Sequence, residues 1–164
     1  MTVGPLVEEL SPVPEIMTAL RAFADLPGVL LLESARPDGR LGRYSFLTAD
    51  PFEWIEIADV EYGVDPFAAL RDRMASFAVD SLPDLPPFQG GVAGLMGYEL
   101  GGAFERIPQP TGNEFTLPDL AVGFYDWVIA WDHVEDRAWI ISQGFPEIDQ
   151  TRRHQRARER LTRV

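Results

Sequence analysis

The sequence predicts an α+β fold, mainly antiparallel sheet with a few flanking helices. Short apolar runs that alternate every second residue lie close together and are separated by turn-forming residues, which is typical of antiparallel hairpins. Helical spacing or helical propensity is confined to three segments, 13–25, 66–78 and 147–163. With 164 residues the chain is long enough to bury one core, so we expect a single domain over 1–164.

The N-terminal part predicts a helix followed by two strands. Ser11 followed by Pro12 is typical of a helix start, because serine caps the helix and proline suits its first turn. The apolar residues at 13–25 then recur at helical spacing, up to a Pro-Gly pair. Residues 29–33 form a short apolar run that predicts a buried strand, and 43–48 predict the returning strand.

The middle of the chain predicts a strand, a helix and a glycine-rich strand. Residues 52–57 alternate in polarity, and Asp65-Pro66 repeats the helix-start signature ahead of the helix at 66–78. Six glycines between 90 and 102 do not suit an ordinary helix, because each costs about 1 kcal/mol relative to alanine. We therefore expect a strand here that lies close to another backbone.

The last strands are predicted as a hairpin. Leu117-Pro118 opens this region, and the residues of 125–131 alternate between large apolar side chains and smaller ones. A polar turn follows, and 138–142 form a second apolar run. The two runs are therefore expected to pair as neighbouring antiparallel strands.

The final segment, 146–164, has helical propensity but little to bury. Asp149 with Arg153 and Glu159 with Arg163 are spaced four residues apart, as in helical ion pairs. Its apolar stripe is thin and no glycine cap follows. We expect a helix that packs on, or leads to, further polypeptide, so that the chain is part of a longer protein.

Composition excludes several classes of chemistry. There is no lysine and no cysteine, which removes lysine and thiol nucleophiles, disulfides and thiolate metal sites. The net charge is −12, and the excess of arginine lies in the last 14 residues. The rest of the chain is therefore strongly negative and is expected to repel nucleic acid. No apolar run approaches the ~20 residues of a membrane span, so we expect a soluble, cytoplasmic protein.

Three further patterns are interpreted as structural. Glycines spaced G-x-x-G-x-x-G at 91–97 match neither a dinucleotide fingerprint nor a Walker sequence. His133 with Asp132 and Asp136 is interpreted as a polar hairpin tip, not a metal site. Serine, histidine and aspartate are present, but without the G-x-S-x-G elbow of a hydrolase. We therefore predict neither a catalytic nor a metal site.

One segment does predict a small-molecule site. Two strand ends place Glu33, Ser34, Arg43, Tyr44 and Ser45 close together. A carboxylate suits a ligand ammonium group, and hydroxyls or backbone N–H groups suit a ligand carboxylate. An ion pair between Glu33 and Arg43 that closes a hairpin fits the same spacing equally well.

Five motifs in order resemble a known family. The motifs are LLESA, GRYSFLTADPF, DPFAALR, PFQGGVAGLMGYEL and PDLAVGFYDWVIAWDH. By these motifs, the chain from about 28 to 164 is similar to the N-terminal region of component I of the chorismate-utilising enzymes, anthranilate synthase and aminodeoxychorismate synthase. PDLAVGFYDW resembles the aminodeoxychorismate branch, whereas LLES is shared with anthranilate synthase.

The resemblance implies a fold of the anthranilate synthase component I type and an activity for the complete protein. That protein would take chorismate, and ammonia from a glutamine amidotransferase subunit, and make 4-amino-4-deoxychorismate with Mg²⁺. Its chorismate and Mg²⁺ residues would lie in a C-terminal chorismate-binding domain, to which the helix at 146–164 would lead. This chain would then hold no catalytic residue and no cofactor, and its uncovered apolar surface would favour self-association.

The resemblance also implies a tryptophan-type pocket, regulatory in anthranilate synthase and structural in some aminodeoxychorismate synthases. In the family this pocket is completed by residues from the other half of the protein. Two alternatives remain open: the N-terminal domain of an anthranilate synthase with a tryptophan feedback site, and a free-standing small-molecule-binding module. The matching positions are Glu33, Ser34, Leu41, Gly42, Arg43 and Tyr44.

Overall fold

The computed structural model describes residues 4–33, 41–108 and 115–163. Its strands form two antiparallel sheets with helices packed beside them, which is the predicted α+β architecture. The strands are β1 (Leu6–Glu9), β2 (Leu30–Leu32), β3 (Tyr44–Thr48), β4 (Glu53–Ile57), β5 (Gly91–Met96), β6 (Leu120–Tyr125), β7 (Trp127–Asp132) and β8 (Arg137–Ser142). The helices are α1 (Ile16–Phe23), α2 (Ala68–Ala75) and α3 (Gln150–Arg163), and a 3₁₀ helix covers Tyr98–Ala103.

The chain crosses between the two sheets after β3 and again after β6, where the crossing takes a single residue. The first sheet has the strand order β1-β8-β7-β3-β2, and the second has the order β4-β6-β5. Only Asp126 separates β6 from β7, although they belong to different sheets. The predicted strand at 125–131 is thus divided, with Tyr125 in β6. Sequence reasoning missed β6 because both of its faces are buried, so it lacks the alternation of a half-exposed strand.

The first sheet carries an apolar layer on each face. Leu47 and Trp127 lie on one face, where Phe23 of α1 packs 5.3 Å from the Trp127 ring, measured between ring centroids. Val128 lies on the opposite face, which Phe88 helps to cover. The alternation along β7 therefore separates two cores, and the predicted pairing of this strand with the run at 138–142 is confirmed.

The second sheet packs against α2 and the 3₁₀ helix. Val122 and Phe124 of β6 form its core together with Leu70 of α2 and Leu100 of the 3₁₀ helix. The start of α2 differs from its sequence signature, because Phe67 precedes the first helical residue and no side chain caps the helix. Asp65 instead accepts a hydrogen bond from the Phe67 backbone N–H at 2.9 Å, just before the helix. The helix is shorter at both ends than the predicted 66–78.

The first helix begins later than predicted. Its cap is Glu15, whose carboxylate accepts two backbone N–H bonds at 2.6 and 2.9 Å, so the expectation for Ser11 and Pro12 was wrong. The buried indole of Trp131 donates a hydrogen bond to the Pro14 carbonyl at 2.9 Å. The segment before Glu15 therefore lies outside the helix and supplies the hydrogen-bond acceptor for the buried Trp131 indole N–H.

Two short elements have no clear signal in the sequence. β1 is four residues long and half acidic, and it exists through its pairing with β8, where Leu6 lies opposite Ser142. The 3₁₀ helix contains two consecutive glycines and closes with a hydrogen bond from the Phe104 N–H to the Gly101 carbonyl at 3.0 Å. Both elements are set by tertiary contacts that a local pattern does not contain.

The glycine-rich strand β5 lies against β6 at close range, as predicted. A Cβ added at Gly94 would lie 2.2 Å from the Ala121 carbonyl oxygen and 2.8 Å from the Val122 Cα. Both of these atoms are backbone atoms, so no side-chain movement can relieve the overlap. Glycine is thus required here by the approach of the two strands, in agreement with a packing role.

Helix α3 docks within this chain, and its ion pairs differ from those predicted. The Arg153 Nε donates to the Gln143 carbonyl at 2.7 Å instead of pairing with Asp149. Arg163 lies 3.8 Å from the carboxylate of Asp50, outside the helix, instead of pairing with Glu159. Both expectations were wrong because tertiary partners displaced the local ones, which are worth only about 0.2–0.5 kcal/mol each.

Buried charges hold α3 at the junction of the sheets. The carboxylate of Asp126 is fully buried, and it lies 3.2 Å from the Arg156 Nε and 3.2 Å from the Arg160 Nη2. Arg160 also pairs with the Asp50 carboxylate and donates to the Asp50 carbonyl at 3.1 Å. The helix is thus anchored by charge where its apolar stripe is thin.

Gly144→Ala is expected to lower the free energy of unfolding by about 3 kcal/mol. Gly144 has φ +72°, and an added Cβ would lie 2.1 Å from the Arg153 carbonyl oxygen of α3. Gly63 has φ +83° with no atom within 4 Å of such a Cβ, so Gly63→Ala is the matched control and should cost about 1 kcal/mol. Urea unfolding of the two variants measures the difference, and equal losses would contradict close docking of α3.

Candidate functional site

The predicted ligand residues gather at one end of the β2–β3 pair. Glu33 follows β2 directly and is exposed, and Leu41 is 75% exposed. Tyr44 begins β3, whose register places Leu32 opposite Phe46, so both strand ends meet at the same edge. Ser34 lies outside the described residues. Gly42, which is buried, and Arg43 complete the group.

Arg43 is engaged by the β7–β8 hairpin instead of by Glu33. Its Nε lies 2.9 and 3.0 Å from the two carboxylate oxygens of Asp132, and its Nη2 lies 3.1 Å from the Glu135 Oε1. Its guanidinium carbon also lies 5.0 Å from the centre of the Tyr44 ring. β3 lies between β2 and β7 in the sheet. Arg43 therefore pairs with Asp132 on the β7 side, and not with Glu33 on the β2 side as the spacing allowed.

Asp132 is built into the hairpin as a charged acceptor. Its side chain is 4% exposed, and Oδ1 also accepts from the backbone N–H groups of Val134 and Glu135 at 3.0 and 3.2 Å. Burial opposes ionisation of this carboxyl group, but the bonds from Arg43 and the two N–H groups outweigh it and lower the pKa. Sequence reasoning missed this role, since it depends on the strand order.

Ser45 and His133 form a second contact beside this ion pair. The Ser45 hydroxyl lies 2.7 Å from the imidazole Nε2 of His133. The backbone N–H of His133 donates to the Arg43 carbonyl at 2.8 Å. Ser45 is fully buried and Asp132 is bound to Arg43, so these residues do not form a nucleophilic triad that a substrate can reach. The contact ties the hairpin turn to β3.

The arrangement leaves one carboxylate available to a ligand. Glu33 is exposed at the strand end and suits an ammonium group. The charge of Arg43 is already neutralised, so a ligand carboxylate would have to compete with Asp132 and Glu135. This edge therefore presents an exposed carboxylate close to a guanidinium that is already paired.

Neither a metal centre nor a membrane helix is found in the described ranges. Within residues 4–33, 41–108 and 115–163, no three His, Asp or Glu side chains form a group that could hold a metal ion. In the same ranges, no helix has the length and apolar character needed to cross a bilayer.

A separate apolar cavity lies between α2, the second sheet and the segment that follows β8. It has a volume of about 520 Å³ and is lined by Phe52, Phe77, Phe124 and Phe145, with Arg71 as its charged side chain. None of the five predicted ligand residues that the structure describes lines it. Sequence reasoning missed this cavity because its phenylalanines recur at helix and strand spacings that are typical of core residues.

Comparison with known proteins identifies the family. No family model matches the chain. Aminodeoxychorismate synthase component 1 of Salmonella typhimurium is 33% identical over 129 residues, which cover 71% of this chain and 28% of the relative. The Escherichia coli protein of that name is 33% identical over 156 residues, covering 79% and 34%. The chain belongs to the component 1 family of chorismate-utilising synthases.

Both branches of the component 1 family are similar to this chain. Anthranilate synthase component 1 of Streptomyces coelicolor is 34% identical over 144 residues, covering 85% of this chain and 27% of the relative. The chain thus spans only about a third of the length of the relatives it matches. The resemblance seen in the five motifs is confirmed at the level of the family.

A solved structure of the component 1 family has the same fold. The crystal structure of anthranilate synthase component I from Streptococcus pneumoniae matches with a TM-score of 0.56 at 19% identity. The match covers 95% of this chain and 36% of that chain. The expected fold of the anthranilate synthase component I type is therefore confirmed.

Asp132→Asn is expected to lower the free energy of unfolding by about 2 kcal/mol at neutral pH. Because folding lowers the pKa of Asp132, its stabilisation is complete above about pH 5 and is lost as the pH falls below about 4. The difference between wild type and variant should therefore shrink in acid. Asp136→Asn, at an exposed position in the same turn, is the control. A difference that persists unchanged at low pH would contradict the role given to Asp132.

Proposed function

We propose that this chain is the N-terminal, non-catalytic part of an aminodeoxychorismate synthase component I. The complete enzyme would convert chorismate and ammonia to 4-amino-4-deoxychorismate for folate synthesis. A glutamine amidotransferase subunit would supply the ammonia, and Mg²⁺ would act in the chorismate-binding part. The role of this chain would be to support that part.

One observation carries the proposal. The relatives from Salmonella typhimurium and Escherichia coli align with 71% and 79% of this chain but with only 28% and 34% of their own lengths. The aligned third is therefore a portion of a larger protein in both relatives. The name component 1 that these relatives carry also supports the existence of a second, separate subunit.

The geometry supports a scaffolding role. The cation at the β2–β3 end is already paired, since Asp132 and Glu135 hold Arg43. The serine beside them is buried. A reacting group has to touch its substrate and change its protonation or bonding state, which tightly paired and buried groups do not favour.

The anthranilate branch is the second candidate. The Streptomyces coelicolor relative, an anthranilate synthase component 1, covers 85% of this chain, more than either aminodeoxychorismate synthase above. In that case Glu33, Ser34 and the segment 41–44 would belong to a tryptophan feedback site. In either branch we propose that tryptophan binds fully only when the remainder of the enzyme closes the pocket.

Complementation in Escherichia coli tests the branch. One strain would carry its aminodeoxychorismate synthase component 1 without the third that aligns with this chain, and a second strain a correspondingly shortened anthranilate synthase component 1. We expect expression of this chain to restore growth without p-aminobenzoate in the first strain and not to restore growth without tryptophan in the second.

The other outcomes contradict the proposal in different ways. Rescue of the tryptophan requirement alone would move the chain to the anthranilate branch. Rescue of a strain that lacks the whole component 1 would show that the chain is itself catalytic. Rescue of neither shortened strain would contradict the supporting role.

Calorimetry with tryptophan tests the incomplete pocket. The chain alone is expected to bind tryptophan with a Kd above about 1 mM, a binding free energy weaker than about −4 kcal/mol, because Arg43 is occupied. Glu33→Gln should weaken this binding further, because it removes the carboxylate offered to the ligand ammonium group. Micromolar binding that Glu33→Gln abolishes would contradict the incomplete pocket and favour a free-standing binding module.

A further inference from the structure

The outer edge of the three-stranded sheet lacks the usual protection against strand pairing. Edge strands expose unpaired backbone groups, and natural proteins shield them with charges, proline, shortness or a covering segment. In the described part of the chain β5 pairs only with β6, so its other side is an edge. The remaining three outer strands, β1, β2 and β4, provide an internal comparison.

The other outer strands are protected. β1 carries two consecutive glutamates, and β2 is only three residues long. β4 carries Glu53 and Glu56, and Glu53 is paired with Arg73 of α2 at 2.6 Å. Each of these devices discourages a further strand from pairing.

β5 has none of these features. Its six residues, Gly91–Met96, contain neither a charge nor a proline. Leu95 is 42% exposed and Met96 is 58% exposed, so apolar side chains accompany the free backbone. In comparison with β1, β2 and β4, the outer edge of β5 is therefore not protected against pairing with another strand.

The register shows which backbone groups face outward. The Phe52 N–H donates to the Phe124 carbonyl at 2.9 Å, so Phe124 directs its backbone groups toward β4. The direction of the backbone N–H and C=O groups alternates along a strand. The residues of β6 on either side of Phe124 therefore form their hydrogen bonds with β5. Their partners in β5 are Gly91, Ala93 and Leu95. The groups left for the outer edge are those of Val92, Gly94 and Met96.

We propose that this edge pairs with β5 of a second copy of the chain, as an antiparallel strand about a two-fold axis at Gly94. Gly94 then lies opposite its own copy, and Val92 lies opposite Met96. All three outward-facing residues fall on hydrogen-bonding positions of this register, so each pair exchanges both of its backbone bonds. The two sheets become one sheet of six strands.

Self-complementarity favours a second copy as the occupant. Antiparallel pairing about Gly94 places apolar side chains opposite apolar ones, with glycine where the two strands meet at the axis. No like charges face each other within the strand. The net charge of −12 on each copy opposes association, so the dimer should tighten as salt screens that repulsion.

Sedimentation equilibrium of the purified chain tests the dimer. We expect a monomer–dimer equilibrium whose Kd falls at least about tenfold between roughly 0.1 M and 1 M NaCl. Association should stop at two copies, because pairing uses the only free side of β5. Hydrogen exchange should show the N–H groups of Val92, Gly94 and Met96 becoming protected as concentration rises.

Met96→Lys is the deciding variant, with Val134→Lys as its matched control. Both wild-type side chains are 58% exposed, and both variants reduce the net negative charge by one. Met96→Lys should raise the Kd at least about tenfold, as an edge lysine discourages pairing, and Val134→Lys should not. Circular dichroism checks that both variants fold.

Three results would overturn the proposal. The first is a monomer at all salt concentrations with unprotected β5 amides, which would leave the edge to a strand of another polypeptide. The second is a dimer that Met96→Lys does not weaken. The third is open-ended association, because one edge per copy can form only a closed pair.

Discussion

Neutralisation of one buried carboxylate connects the main parts of this molecule. Asp126 lies where the chain leaves one sheet and enters the other, and an unpaired charge there would cost several kcal/mol. Arg156 and Arg160 of α3 supply the opposite charge, and Arg160 also binds Asp50 just before β4. Because these pairs reach both sheets, the crossover, the helix and the entry to β4 are fixed together. A close backbone approach at Gly144 completes the docking.

A second charge cluster holds the opposite end of the first sheet. Asp132 and Glu135 of the last hairpin bind Arg43, and the turn residue His133 contacts Ser45. In both clusters, arginine side chains pair with carboxylates of the same chain. The net charge of the chain is nevertheless −12, and large apolar side chains are also exposed. The relatives are about three times as long as this chain.

Local patterns predicted those parts of the structure whose cause is local. The alternation along β7 predicted its pairing with the run at 138–142, and Asp65-Pro66 predicted a helix whose observed start lies two residues later, at Ala68. The close approach of the glycine-rich strand followed from the cost of glycine in a helix. Patterns failed where a distant partner intervened: α1 starts after Glu15 because the preceding segment contacts Trp131. At the ligand site the sequence indicated the strand end but assigned Arg43 no partner in the last hairpin.

By itself, the sequence determined the α+β class, most of the strands and the family, because alternation, turn residues and ordered motifs are written along the chain. Only the tertiary structure decided which charges pair, which strand edge stays open and where an apolar cavity forms. These features depend on strand order, and in an antiparallel fold that order joins residues far apart in the sequence. Arg43 and Asp132 are one such pair, 89 residues apart. Helix α3 shows the same limit, since Arg153 binds the Gln143 carbonyl and Arg163 lies near Asp50 instead of their predicted local partners.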